Sequence, residues 1–159
     1  MDATGSIWLT GSAAWPDAPL NMTGILLITH GTLGEALLAN AAHVLGSVPP
    51  RAAAMNIQPG DRAEARLTEA RELMQSLDDG AGVLIFTDIF GATPANIAGR
   101  LLDSPLREGV TGVSLPMLVK ALAYRHLPLA ELVDKAIDAG TQGQIRIKGD
   151  CCHAVEGGS

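Results

Sequence analysis

The 159-residue chain is short of several things, and each shortage closes off a class of function. Aromatic residues make up 3% of it, too few to form stacking platforms for a single-stranded nucleic acid. Positive charge is scarce too: the net charge is −6 and the pI about 5.0, whereas phosphate backbones recruit Lys and Arg. No nucleic-acid partner is expected, and an acidic surface instead steers toward a basic protein. The two cysteines, Cys151 and Cys152, are adjacent, so they imply no disulfide framework. No apolar run approaches the roughly 18 residues of a membrane helix, so direct membrane insertion is not expected. The N-terminus carries Asp2 and no basic stretch, which makes a poor secretory signal; the cytoplasm is the expected location. No glycine loop leads into Lys-Ser or Lys-Thr, so a P-loop nucleotide site is not expected.

What is present is aliphatic. Hydrophobic residues make up 47% and charged residues 18%, enough for one ordinary domain with a real core. Residues 1–21 differ from the rest: they are rich in Gly, Ser, Ala and Pro, lack a period, and read as a flexible arm. Three readings of that arm stand together. It is a mis-assigned start ahead of Met22, a true extension, or a segment that docks through Trp8 and Trp15. The domain is expected over 22–148, and the tail from Gly149 to Ser159 is expected to be mobile.

From Gly24 onward, strands and helices alternate. Ile25 to Thr29 reads as a strand buried on both faces. Leu33, Ala36, Leu37, Ala41, Val44 and Leu45 keep helical spacing, and Gly46 ends that helix. A weaker strand spans Ala52 to Ile57. A helix then opens at Gly60-Asp61, capped by Asp61 or a neighbour, and runs to about Leu77. Gly82 to Thr87 is the third strand. Thr93-Pro94 starts the next helix, with Thr93 as cap and Pro94 at the first helical position. Val110 to Val113 is the fourth strand. Ser114-Leu115-Pro116 starts a helix to Tyr124, and another runs from Leu129 to Ala139. Gln144 to Lys148 alternates in polarity like a half-exposed edge strand. The expected fold is α/β: a doubly wound, mainly parallel sheet with helices on both faces.

Two strands end in a polar group followed by glycine. His30-Gly31 closes the first, and Asp88, with Gly91 three residues on, closes the third. Neighbouring strands in such a sheet bring these ends to one rim, where ligands bind. Helices open at the same rim near Thr32, Thr93 and Pro116, and helix N-termini attract anions. A neutral imidazole is a good nucleophile near neutral pH, and a carboxylate on one ring nitrogen fixes its tautomer. His30 is therefore the candidate nucleophile for a phosphoryl group and Asp88 its orienting partner. Gly31, Thr32, Gly91 and Thr93 are the candidate phosphate cradle. Backbone and hydroxyl donors suffice for such a cradle, so no metal or cofactor is expected. The plainer alternatives are that His30 is an ordinary strand-end polar residue and that Thr93-Pro94 is simple capping. His43 and His126 lack a flanking glycine or strand end and read as structural or solvated. Cys151-Cys152-His153 has no second ligand cluster with which to close a zinc site. Leu115, Met117 and Leu118 read as core, or, if exposed near His30, as an apolar docking patch.

Three segments in register, GILLITHGTLGEALL at 24–38, GVLIFTDIFGATPANIA at 82–98 and GVSLPMLVKAL at 112–122, carry a family resemblance. The chain resembles the mannose-type IIA component of the bacterial phosphoenolpyruvate-dependent sugar phosphotransferase system. The resemblance implies that His30 accepts a phosphoryl group from the phosphocarrier HPr and passes it to a IIB component during sugar uptake. It implies that Asp88 hydrogen-bonds His30. The family often has Gly-Gly-Ser-Pro where this chain has Gly91-Ala92-Thr93-Pro94, so Thr93 keeps a hydroxyl for the phosphate. It also implies a homodimer in which the last strand, here Gln144 to Lys148, pairs antiparallel with the partner's sheet. No IIB sequence follows, so the acceptor is expected to be a separate protein, or absent. A regulatory module, whose phosphorylation controls protein binding, is the second reading; a small-ligand binder in which the histidine is dispensable is the third.

Overall fold

The computed structural model describes residues 21–149. Along them run β1 (Gly24–His30), α1 (Leu33–Leu45), β2 (Ala52–Ile57), α2 (Ala63–Leu77), β3 (Val83–Thr87), α3 (Thr93–Gly99), β4 (Arg107–Val110), α4 (Leu115–Tyr124) and α5 (Leu129–Gln142). The four strands form one parallel sheet in the order β2-β1-β3-β4. Parallel strands share a C-terminal rim, and the helix after each strand starts there. This arrangement brings the ends of β1 and β3 side by side, with Ile28 opposite Thr87.

The strand period of two divides the core into two layers. Ile25, Leu27, Ala54, Leu84 and Phe86 face α1, α4 and α5 through Leu38, Ala41, Leu118, Ala121 and Leu132. Leu26, Ile28, Met55, Val83 and Ile85 face α2 and α3 through Ala70, Met74, Ile97 and Ala98. Each fully buried Leu or Ile contributes roughly 1.5–3 kcal/mol, so β1, apolar on both faces, is the most strongly anchored position in the sheet. At the opposite rim, Asp79 accepts the N–H groups of Asn21 and Met22 at 3.1 and 3.2 Å and pairs with Arg51, pinning the approach to β1. Arg125 is buried beside this corner and donates to the Pro50 carbonyl. Burial, followed by the charge of Arg51, lowers its pKa to about 10.

Four expectations change. The fourth strand is Arg107–Val110, three residues earlier than its apolar pattern suggests. It is an edge strand and only half-buried, so hydrophobicity marks it poorly; its start is set instead by the Val83 N–H on the Leu106 carbonyl at 3.0 Å. Helix α2 begins at Ala63, and Asp61 does not cap it. Asp61 instead accepts the Gln58 N–H and the Arg66 guanidinium, each at 2.8 Å. Helix α3 is capped at Ala92, so Thr93 is already helical, and Pro94, which lacks an N–H, is tolerated in the first turn. Finally, residues 144–148 form no strand within the chain; α5 runs on to Gln142, and the segment after it is exposed. Alternating polarity marks what a segment would bury once paired, and no strand among the described residues supplies the ladder. Apart from Asn21 and Gly149, the arm over 1–21 and the tail over 149–159, with Cys151, Cys152 and His153, lie outside the described residues.

Candidate active site

The last residue of β1 and the first residue after β3 meet directly. His30 Nδ1 lies 2.9 Å from Asp88 Oδ2, and the same oxygen accepts the backbone N–H of His30 at 2.9 Å. The other carboxylate oxygen accepts the Ile89 N–H at 2.9 Å. An ionised carboxylate can only accept, so Nδ1 is the protonated nitrogen and Nε2 carries the lone pair. The His30 side chain is 50% exposed and that of Asp88 13%. The Asp88 carboxylate is thus enclosed while the His30 side chain is half exposed. Burial pushes the Asp88 carboxyl up, but the hydrogen bonds from the His30 backbone and ring, the His30 charge and the Ile89 N–H together outweigh it. The net shift is below the ordinary aspartate value of 3.8, which keeps the acceptor ionised.

The loop after His30 is held as firmly. Gly31 takes φ +53°, a left-handed conformation open to glycine, and its N–H donates to the Ile57 carbonyl of β2 at 2.9 Å. Thr32 is the N-cap of α1 and is exposed; its side chain makes no capping hydrogen bond. Gly91 also takes a left-handed φ, +81°, and is exposed. Across the rim, the Val113 N–H donates to the Thr87 carbonyl at 3.0 Å, which brings the start of α4 beside the end of β3. Ser114 caps α4, as its sequence suggests, by accepting the Met117 N–H.

Of the six expected site residues, then, His30 and Asp88 are in contact, and Gly31 and Thr32 form the turn that follows His30. Gly91 shapes the loop after Asp88. Thr93 makes no hydrogen bond to either His30 or Asp88; it lines an open polar groove of about 530 Å³ with Asp61, Arg62, Glu64, Asn96 and Arg100. The first of the two readings of Leu115, Met117 and Leu118, as core, holds for two of them. Met117 and Leu118 are buried, and the large apolar side chains exposed at this rim are Leu33, Ile89 and Phe90, the last 84% exposed. His43 and His126 are both exposed, and His126 stacks with Tyr124 at 6.2 Å between ring centroids. Among the described residues, no three His, Cys, Asp or Glu are grouped to hold a metal ion.

Three residues were missed on the sequence alone. Thr29 is fully buried, and its hydroxyl accepts the Gly34 N–H at 2.8 Å. Glu35 in the first turn of α1 accepts the Asn56 side-chain N–H at 2.8 Å, tying that helix to β2. The available signal was a polar residue within an aliphatic strand, which must find a partner when buried.

A family model described as EIIA-man, PTS system fructose IIA component, matches residues 24–137. The mannose-specific EIIAB component of the PTS of Escherichia coli (strain K12) is 33% identical over 127 residues, covering 78% of this chain and 39% of the relative. The chain therefore spans about two fifths of the length of that relative. Among solved structures, the mannose/sorbose-specific IIA subunit from Enterococcus faecalis aligns with a TM-score of 0.72 at 20% identity, over 80% of this chain and 96% of that one. The EIIA component from Streptococcus agalactiae aligns at 0.70 and 22% identity, over 79% and 97%. A PTS IIA protein associated with the fucose utilization operon of Streptococcus pneumoniae aligns at 0.64 and 26%, over 74% and 90%. No helix among the described residues is long and apolar enough to cross a membrane. The family model, the curated relative and the shared architecture agree, and the chain belongs to the EIIA-man family of phosphotransferase-system IIA components.

Proposed function

We propose that the chain is a phosphocarrier that accepts a phosphoryl group from phospho-HPr on His30 Nε2 and passes it to a IIB component, in sugar uptake. The observation that carries this reading is the His30–Asp88 contact, with Nδ1 on an enclosed carboxylate and the His30 side chain half exposed. The Nε2 lone pair attacks phosphorus as the bond from phosphorus to the donor breaks. The ring gains positive charge when Nε2 bonds phosphorus, and Asp88 offsets it through Nδ1. Toward the IIB acceptor the same step runs in reverse. The N-termini of α1 and α4 supply N–H groups and positive dipole ends for the phosphoryl oxygens. Thr93 supplies a hydroxyl at the start of α3, Gly31 and Gly91 supply the turns, and Thr32 supplies its N–H.

Both partners in this relay are proteins, which fits an exposed nucleophile with Leu33, Ile89 and Phe90 around it rather than a closed small-molecule pocket. The chain also acts as a homodimer, in which Gln144 to Lys148 of one copy joins the sheet of the other. The open edge of β4 and the exposed Ile145 and Ile147 support that reading. The deciding experiment is incubation with phosphoenolpyruvate, enzyme I and HPr, followed by mass mapping of an acid-labile phosphate. Label on the peptide containing His30 is expected, with none in His30→Ala; label that persists in that variant sinks the assignment.

A further inference from the structure

We infer that Thr29 is a positioning residue for the nucleophile, an inference that rests on the phosphoryl-acceptor reading of His30. Thr29 precedes His30 on β1, pairs across the sheet with Asn56, and is fully buried. A buried hydroxyl is costly unless it is hydrogen-bonded. This one accepts the N–H of Gly34 at 2.8 Å.

Gly34 is the second residue of α1, counted from the Thr32 cap. Its N–H is one of the donors that helix geometry leaves without an internal partner, and an N-cap side chain normally takes it. Thr32 does not do so. The capping oxygen comes instead from the strand that carries the nucleophile. That bond closes a six-residue turn, Thr29 to Gly34, with His30 and the left-handed Gly31 inside it. The first turn of α1 lies against the sheet at that point: a Cβ added to Gly34 would come within 2.9 Å of Thr29 Oγ1 and 3.1 Å of Ala54 Cβ.

The distribution of donors follows from this. The Gly31 N–H is committed to Ile57, and the Gly34 N–H to Thr29. The N–H groups that α1 has left to offer an anion beside His30 are therefore those of Thr32, Leu33 and Glu35. Thr29 holds imidazole and cradle as one rigid piece, and Glu35 on Asn56 braces the same turn from the β2 side. Without the hydroxyl, the Gly34 N–H is left buried and unsatisfied, and the first turn of α1 is free to lift away from the ring.

The test compares Thr29→Val with Thr29→Ser in the full chain, measuring the rate of labelling by phospho-HPr alongside the thermal midpoint. Val keeps the shape and loses the acceptor; Ser keeps the acceptor and loses a buried methyl. Positioning predicts that Val labels roughly tenfold or more slowly than wild type, the range typical of lost orienting partners. Ser is expected to label within about threefold of wild type despite its lower midpoint, a loss too small to reflect a missing orienting partner. A packing role predicts the opposite order, and either that order or equal slowing overturns the inference. Should Val fail to fold, a Ser rate roughly tenfold below wild type overturns it alone. Unlabelled wild type overturns the acceptor reading and this inference with it. Labelled wild type with an equally fast Val variant overturns the role of Thr29 only.

Discussion

Asp88 has two carboxylate oxygens and three N–H groups to satisfy: the ring and backbone of His30 on one oxygen, Ile89 on the other. Asparagine has one acceptor oxygen in that place. If the oxygen stays on the His30 side, the new NH2 group meets the Ile89 N–H, donor against donor; flipped, it loses both His30 contacts. Asp88→Asn is therefore expected to retain the fold at a cost of about 1–3 kcal/mol. Transfer should slow by on the order of 10–100-fold, because the ring loses either its orienting acceptor or the negative charge that offsets its own. Rapid-quench labelling with phospho-HPr measures the rate, and a wild-type rate would remove Asp88 from the mechanism. The downward shift of its pKa also fixes a pH signature. The stabilisation by this carboxylate is complete above the ordinary value of 3.8 and is lost as pH falls through the lower folded value. The difference in urea midpoint between wild type and Asp88→Asn should hold down to about the ordinary value of 3.8, shrink as pH falls from there, and be lost below the folded value. A difference that had already collapsed at pH 5 to 6, well above the ordinary carboxylate range, would contradict the shift.

Two helical glycines separate what an element needs for itself from what its neighbours demand. In isolation, Gly→Ala within a helix gains about 0.5–1 kcal/mol. Gly99, at the end of α3, has open space where a Cβ would go, so Gly99→Ala is expected to stabilise by up to about that amount. Gly34 in α1 faces Thr29 Oγ1, Ala54 Cβ and Leu27 Cβ at 2.9, 3.1 and 3.2 Å, so Gly34→Ala forces helix and sheet apart. Its expected cost is about 1–3 kcal/mol, with slower labelling as the turn carrying His30 shifts. Chemical denaturation of the pair checks the contrast in sign, and equal stabilisation by both would contradict it. The same contrast explains what could be read without coordinates. His30 and Asp88 were legible because each closes an aliphatic strand with a polar group beside a glycine-containing turn. The helix over Leu33–Leu45 was legible through its spacing and Gly46. The role of Thr29 was not, since a threonine within an apolar run reads as an ordinary β-branched strand former, and its partner is defined only once α1 folds back. Nor were the bounds of β4, expected three residues later, since its half-exposed residues lack a hydrophobic signal and its position depends on pairing with Val83.

At the scale of the molecule, β4 is one of the two edge strands of the sheet. Among the described residues it pairs only with β3, and no strand meets its outer N–H and C=O groups. An open edge invites another strand. The chain holds a candidate just past α5, where Ile145 and Ile147 point two apolar side chains, spaced for one face of a strand, into solvent. Beside β4, a groove of about 570 Å³ runs between the sheet and α4 and α5, lined by Val110, Met117, Val133 and Ile137. A strand laid along β4 would press alternate side chains into that groove, and 144–148 has the right alternation. Among the described residues the segment makes no such pairing, and in the proposed homodimer a second copy supplies it. The full chain is therefore expected to sediment at twice its 16.4 kDa mass. Replacing Ile145 and Ile147 together with Asp should give a monomer without unfolding the domain, because neither side chain contributes to the two core layers. The site itself is built from β1, β3 and α1 of one chain, so the monomeric variant should still label on His30. Loss of label together with dimerisation would mean that the second copy completes the site, and a variant that stays dimeric would place the interface elsewhere.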